Sequence, residues 1–379
     1  MSQHPLKFEI DAKDGNARAG TLRLGPHVVQ TPVFMPVGTQ ASVKSQTPAE
    51  VETTGSRLIL ANTYHLMLRP TAELIARFGG VARFMAWPHA VLTDSGGYQV
   101  FSLAALRQIT DDGVAFRSHL DGSKHLLTPE RSMEIQALLG SNIAMAFDEC
   151  PPGGASREQV EHAVVRTTRW AKRCLPVLRP PHQARFGIVQ GSTFTDLRLR
   201  HLQEIEELPF EGIALGGFSV GEPIEEMYRV LQELAPHLPL LKPHYLMGVG
   251  KPIDLLRVIG SGIDMFDCVL PTRNARNGQA LTWHGRVNLR QARHRDDASP
   301  ICSQCFCSVC GTFSRAYLRH LLASGEMLGP RLVTQHNLHF YQELTRAARD
   351  AIVEGRYVDF AREAEQRMLD GDEVGPPGS

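Results

Sequence analysis

At 379 residues the chain has room for one large domain or two ordinary ones, and its 42 % hydrophobic and 21 % charged residues match a folded globular protein and exclude a disordered one. Forty Lys and Arg cancel forty Asp and Glu, so no global field draws the chain to nucleic acid, and a polyanionic partner has to be met by a local patch. The N-terminus lacks the basic start and apolar run of an export signal, and no stretch reaches the roughly 20 uninterrupted apolar residues that span a bilayer, so a soluble, cytoplasmic protein with no membrane partner is expected.

Residues 7–30 read as an antiparallel hairpin ahead of the main body. Eight short apolar or β-branched runs bounded by turn residues follow, over 31–37, 57–61, 90–93, 142–147, 185–189, 212–215, 244–247 and 262–269. A second hairpin is inserted over 114–127, around an Asp121-Gly122 turn. Apolar residues at three- and four-residue spacing predict helices over 130–139, 157–175, 223–234 and 252–259. Strand-helix alternation predicts a parallel sheet of the α/β class, and eight strands predict a closed (β/α)8 TIM barrel, with an open doubly wound sheet as the rival. The barrel accounts for an oddity: polar or glycine residues stand just past several runs, namely Asn62-Thr63, Asp94-Ser95-Gly96-Gly97, Asp148-Glu149, Gln190-Gly191, Gly216-Gly217, and Asp267 near the end of the eighth. In a barrel these positions share one rim, where active sites collect.

After Pro271 the pattern changes. Arg273, Arg276, Arg286, Arg290, Arg293 and Arg295 lie between Thr272 and Arg295 with no acidic residue among them. This reads as an Arg-rich loop beside Asp267, suited to a phosphate backbone, although a solvated surface loop has the same composition. Cys302, Cys305, Cys307 and Cys310 then crowd together, which in a long cytosolic chain favours metal over disulfides. Two C-x-x-C pairs allow a four-thiolate zinc site; Cys305, Cys307 and Cys310 with His336 or His339 allow a three-thiolate, one-imidazole site. Either set is closed to water, so the metal folds a subdomain and does not catalyse. Helical segments over 313–322 and 338–369 and a disordered tail over 371–379 complete the chain. The expected division is a barrel with its hairpin over 1–271, an inserted or C-terminal zinc-binding subdomain with the Arg-rich loop over 272–337, and a helical segment completing the barrel over 338–370.

Two carboxylates facing one cavity divide the cleavage of a glycosidic bond, one attacking the anomeric carbon and the other moving protons. Asp94 and Asp267 are the candidates. An aspartate before Ser-Gly-Gly also caps turns, whereas one inside a β-run is costly unless paired or used. Asp148 and Gln190, with the backbone of Gly216 and Gly217, can read a heterocycle's edge, and Tyr98 or Met247 can cover its face. The stretch 248–252 lacks the spacing of a phosphate loop and reads as a strand-to-helix turn.

Four motifs, Asp94-Ser95-Gly96-Gly97-Tyr98-Gln99-Val100-Phe101-Ser102, Gly187-Ile188-Val189-Gln190-Gly191, Tyr245-Leu246-Met247-Gly248-Val249-Gly250 and Phe266-Asp267-Cys268-Val269-Leu270-Pro271-Thr272-Arg273, together resemble those of tRNA-guanine transglycosylases, a similarity that covers nearly the whole chain. The resemblance implies a pentosyltransferase that exchanges guanine at the wobble position of tRNAs with a G-U-N anticodon, on the route to queuosine. It makes Asp267 the nucleophile of a covalent RNA intermediate and Asp94 the general acid/base. It places Ser95, Asp148, Gln190, Gly216 and Gly217 around the base, sandwiched by Tyr98 and Met247. It assigns RNA contact to Gly248, Val249, Gly250, Lys251, Pro252, Ile253 and Asp254 and to Thr272, Arg273, Asn274, Ala275 and Arg276. It also selects Cys305, Cys307, Cys310 and His336 as ligands of one structural zinc, leaving Cys302 spare. Cys150 and Val220 match the bacterial branch, whose incoming 7-deazaguanine is the 7-aminomethyl form. Phe218 departs from the leucine more usual there and is expected to alter packing more than hydrogen bonding. Family members are homodimers. Two rival functions are a non-catalytic RNA-binding subunit, against which the presence of both aspartates argues, and a hydrolase in which water replaces the incoming base.

Overall fold

The computed structural model describes residues 4–103 and 107–373. Eight parallel strands form one sheet: β1 (Val33–Pro36), β2 (Leu58–Ala61), β3 (Ala90–Thr93), β4 (Ile143–Met145), β5 (Ala184–Val189), β6 (Gly212–Leu215), β7 (His244–Leu246) and β8 (Met265–Cys268). Their spatial order is β1-β8-β7-β6-β5-β4-β3-β2. A parallel bridge from Val37 to Leu60, with Gly38 N–H donating to the Leu60 carbonyl at 2.6 Å, joins the two ends. The sheet is therefore a closed barrel and not an open one.

The strands are short and apolar because they are buried on both faces, as parallel sheets are. Alternate residues divide between two cores. Leu58, Leu60, Leu92, Met145, Ile188 and Met265 share one with Leu22, Leu24 and Val29 of the N-terminal sheet; Ile59, Val91, Val189, Leu215 and Phe266 share the other with the surrounding helices. The helices start where local chemistry satisfies their free N–H groups. Arg157–Cys174 opens on a Ser156/Gln159 capping box, and the Thr128 hydroxyl accepts from Arg131 N–H ahead of Pro129–Leu139.

The expected N-terminal hairpin is a three-stranded antiparallel sheet, Lys7–Asp14, Ala17–Leu24 and His27–Thr31, and Thr31 belongs to it because Pro32 offers no N–H to continue a ladder. The buried Arg18 guanidinium binds the Asp264 carboxylate just before β8 and so fastens this sheet to the barrel. The inserted hairpin also has a third strand: Arg107–Ile109, Val114–Arg117 and Lys124–Leu127.

The first part of the Arg-rich stretch is not a loop. It forms a helix, Leu270–Arg276, and a hairpin, Gln279–Thr282 with Gly285–Asn288. A separate small core holds this region together, with Ala275, Leu289, Ile301, Val309, Leu322 and Val333 among its members. The expected helix over 338–369 begins earlier and is two helices, Leu328–Val353 and Tyr357–Glu373, parted at Gly355 in the left-handed region (φ +69°). The first lies against β1: Tyr341 stacks on Phe34 at 4.3 Å, and Gln342 Nε2 donates to the Phe34 carbonyl at 3.0 Å. Of the expected tail, 371–373 end the last helix and 374–379 lie outside the described residues. Among the described residues no helix is long and apolar enough to cross a membrane.

Candidate functional site

The C-terminal ends of the strands bring the candidate residues to one rim. Asp94 follows β3 and is 6 % exposed. Its Oδ1 accepts from the Thr63 N–H at 2.8 Å, its Oδ2 accepts from the Asn62 side-chain amide, and the Thr63 hydroxyl donates to its carbonyl at 2.6 Å. Asn62 and Thr63 thus hold the carboxyl from the end of β2. Burial, opposed by these hydrogen bonds and aided by the negative charge of Asp267, pushes its pKa up to about 6.

Asp267 lies on β8, paired with Met35 of β1. Its Oδ1 accepts both from the Tyr245 hydroxyl, at 2.6 Å, and from the Gly248 N–H, at 2.8 Å. No described residue hydrogen-bonds to Oδ2. Burial raises the carboxyl above the usual carboxylate range, and the Tyr245 and Gly248 donors oppose it. The two aspartates, 173 positions apart in sequence (267 minus 94), both stand at the C-terminal ends of barrel strands, near enough for the charge of Asp267 to raise the pKa of Asp94.

Beside them is a polar edge. Asp148, just past β4, accepts from Ser95 Oγ at 3.0 Å through Oδ1 and from Gln190 Nε2 at 2.7 Å through Oδ2. Burial pushes Asp148 to about 6, against the hydrogen bonds from Gln190 and Ser95. Gln190 Oε1 is buried with no partner, an acceptor left open beside Gly217. A Cβ at Gly216 would lie 2.6 Å from Gln190 Nε2, so the paired glycines leave the glutamine its space. Cys150 is half-buried, its thiol pushed by burial to about 12, and the turn after it packs against the Val220 backbone at Gly153. Tyr98 is 49 % exposed on the helix Gly97–Leu103, and Met247 is half-buried directly after β7. Phe218 is buried with its ring centroid 3.6 Å from the Arg198 guanidinium.

The remaining candidates divide between surface and interior. Gly248, Lys251, Arg273 and Arg276 are exposed, the two arginines one turn apart on the helix that starts directly after β8. Arg286, Arg290, Arg293 and Arg295 continue an exposed basic surface. Pro252, Ile253 and Asn274 are half-buried, while Val249, Gly250, Asp254, Thr272 and Ala275 are buried. Asp254 accepts from the Tyr228 hydroxyl at 2.6 Å, and the Thr272 hydroxyl donates to the Val269 carbonyl at 3.2 Å.

Cys305, Cys307, Cys310 and His336 form a group whose ligand atoms all lie within 4.8 Å of one another, which could hold a metal ion. His336 Nδ1 is 3.8, 3.5 and 3.3 Å from the three sulfurs. Its Nε2 faces the Leu281 carbonyl at 2.9 Å, which fixes the proton there and frees the Nδ1 lone pair for a ligand bond. Cys302 and His339 stand outside this group.

Tyr245, Arg198 and His201 are site residues that sequence reasoning did not single out. His201 Nδ1 accepts from the Gln190 N–H at 2.8 Å, bracing the residue whose side chain donates to Asp148. The signal for Arg198 and His201 is their place on the apolar stripe of the helix Thr195–Glu206, in step with Leu197, Leu202 and Ile205.

The model of the family described as queuine tRNA-ribosyltransferase matches residues 13–369. A queuine tRNA-ribosyltransferase of Sorangium cellulosum is 59 % identical over 364 residues, covering 96 % of this chain and 92 % of its own length. Relatives of the same name from Sphingopyxis alaskensis and Zymomonas mobilis are 54 % and 52 % identical, each covering 96 % of its own length and 93 % and 96 % of this chain.

Proposed function

The chain belongs to the queuine tRNA-ribosyltransferase family, and from that premise we propose that it exchanges the wobble guanine of tRNAs with a G-U-N anticodon for 7-aminomethyl-7-deazaguanine. The observation that carries this reading is the meeting of Asp94 and Asp267 at one mouth, beside a polar edge with an open acceptor at Gln190.

Asp267 attacks C1′ of the ribose through the oxygen that accepts no hydrogen bond, while Tyr245 and Gly248 steady the other. The glycosidic bond breaks, its electron pair leaves on the base nitrogen, and guanine takes a proton from Asp94 as it departs, leaving Asp94 a carboxylate. The incoming base gives its N–H proton to Asp94, attacks C1′ and displaces the Asp267 carboxylate. Two inversions give net retention. A carboxyl poised near 6 can accept and return a proton at neutral pH, the property general acid-base work requires.

Ser95, Asp148, Gln190, Gly216 and Gly217 bind the base edge, with Tyr98 and Met247 on its two faces and Cys150 and Val220 shaping the wall toward its 7-substituent. The backbone at 248–254 and the helix bearing Thr272, Arg273, Asn274, Ala275 and Arg276 hold the RNA. Cys305, Cys307, Cys310 and His336 hold one zinc ion, which as a closed four-ligand site supplies folding energy. The chain divides into a barrel over 1–271, the zinc subdomain over 272–337 and a helical segment over 338–370, works as a homodimer and resides in the cytoplasm.

The test is incorporation of radiolabelled guanine into unmodified tRNA. Exchange and a covalent RNA adduct are expected, both lost in Asp267→Ala; an abasic product, or no exchange by metal-loaded protein, overturns the reading.

A further inference from the structure

Arg198 is a fully buried cation that makes no ion pair among the described residues. All its hydrogen bonds go to main-chain carbonyls. Nε donates to Ser192 at 2.5 Å, Nη1 to Val189 at 3.4 Å, and Nη2 to Gly216 at 2.9 Å and Gly217 at 3.3 Å. Its stem fills the space beside Gly191, where a Cβ would lie 2.5 Å from Arg198 Cγ, and its plane covers the Phe218 ring. Burial lowers its pKa to about 9, so it stays charged at neutral pH. A leucine or methionine would fill this volume without the cost of a buried charge, so the guanidinium has to be explained by what it holds.

It holds the backbone at the ends of β5 and β6. In a trans peptide the C=O and the following N–H point in opposite directions. Fixing the Gly216 carbonyl on Nη2 therefore aims the Gly217 N–H the other way, toward the Cys150 sulfur. Fixing the Gly217 carbonyl aims the Phe218 N–H likewise. Gly217 sits at φ +68° and has no side chain to hold this turn, so the orientation has to come from outside it.

We propose that Arg198 is a positioning residue that pins peptides 216–217 and 217–218 with their carbonyls turned away from the base and their N–H groups turned toward it, ahead of binding. The inference rests on the reading of this pocket as the site of a purine-type base. Arg198 touches no reacting atom, so it governs affinity for the base and not bond cleavage by Asp267. Lysine cannot replace it, because one compact ammonium lacks the planar fork that reaches four carbonyls at once.

The experiment uses full-length, metal-loaded wild type, Arg198→Lys and Arg198→Ala, with guanine as the probe: calorimetric binding, then exchange kinetics on unmodified tRNA. Both variants are expected to bind guanine about tenfold more weakly, equal to about 1.4 kcal/mol, with KM for guanine rising in step. KM for tRNA rises by less, because its backbone is also held outside the pocket, and kcat at saturating guanine changes by less than about twofold, as losing uniform binding requires. Millimolar guanidinium restores affinity in Arg198→Ala by entering the vacated space. Wild-type guanine affinity in folded Arg198→Lys overturns the proposal, also where the alanine variant does not fold. So does a parallel fall in guanine and tRNA binding with no guanidinium rescue, the mark of a merely structural role. Wild type that binds no guanine refutes the pocket reading itself, whereas wild type that binds guanine without exchanging it refutes only the proposed reaction and leaves the binding comparison intact.

Discussion

Replacing Asp94 by asparagine should make the protein more stable, by an amount that depends on pH. The carboxyl's ordinary pKa is 3.8 and burial lifts it to about 6 in the folded protein. Because the folded value is the higher one, folding favours the protonated acid: the group carries no penalty well below pH 4 and its full penalty above about pH 7. A gap of roughly two units corresponds to about 3 kcal/mol at pH 8 and about half that at pH 5, where the folded carboxyl is already largely protonated. The substituted amide keeps the shape and still accepts from Thr63 N–H through its oxygen, while Asn62 rotates its own amide to accept from the new NH2. Calorimetric melting of wild type and Asp94→Asn at pH 5 and pH 8 measures the difference. The variant should melt several degrees higher at pH 8, with the gain shrinking at pH 5, and should lose base exchange at both. A variant no more stable at pH 8 than at pH 5 would refute the reasoning, since it would mean that desolvation does not set the Asp94 proton.

Tyr245→Phe removes one of the two hydrogen bonds on Asp267 Oδ1. A hydrogen bond to a charged group contributes about 1.5–3 kcal/mol, so the pKa of Asp267 should rise by about one unit, Gly248 compensating in part, and, with Asp267 as the proposed nucleophile, the acidic limb of the kcat/KM profile should move to higher pH by that amount. Arg273→Ala with Arg276→Ala should weaken tRNA binding and reduce the slope of log affinity against log salt by about two, leaving KM for the base unchanged, as filter binding across salt concentrations will show. Cys307→Ser should lose bound zinc and melt at lower temperature, whereas Cys302→Ser should keep about one equivalent per chain by mass spectrometry; equal metal loss in both would mean that the ligand set is wrong.

The barrel was legible because its strands are apolar on both faces and its helices long enough to repeat their spacing. The helices Pro48–Thr53, Thr63–Leu68, Ala72–Arg77 and Val81–Phe84 were not, since four to six residues contain too little of a 3.6-residue period to register. Leu270–Arg276 escaped for a related reason: its arginines face solvent, and its buried residues, Pro271, Thr272 and Ala275, include no large apolar side chain. At the rim, Asp94, Asp148 and Gln190 stood out as polar residues at the ends of apolar runs. Tyr245 did not, because an aromatic ring inside a strand reads as core until its hydroxyl is seen to reach a carboxylate. Spacing alone left the fourth metal ligand open among Cys302, His336 and His339. The hairpin strand Gln279–Thr282, which brings the Leu281 carbonyl to His336 Nε2, is a tertiary feature with no local signature.

The long helix Leu328–Val353 makes the cysteine cluster a mechanical neighbour of Asp267. Its His336 belongs to the cluster, the next residue, Asn337, donates to the Pro271 carbonyl just past β8, and Tyr341 donates to the carbonyl of Gly250, two residues from the N–H that steadies Asp267. One rod therefore splints the distant cysteine cluster to the strand and the turn on either side of the Asp267 carboxyl. If the cluster holds an ion, chelation should loosen that splint and blunt turnover even though no residue of the cluster lies at the mouth with Asp94 and Asp267.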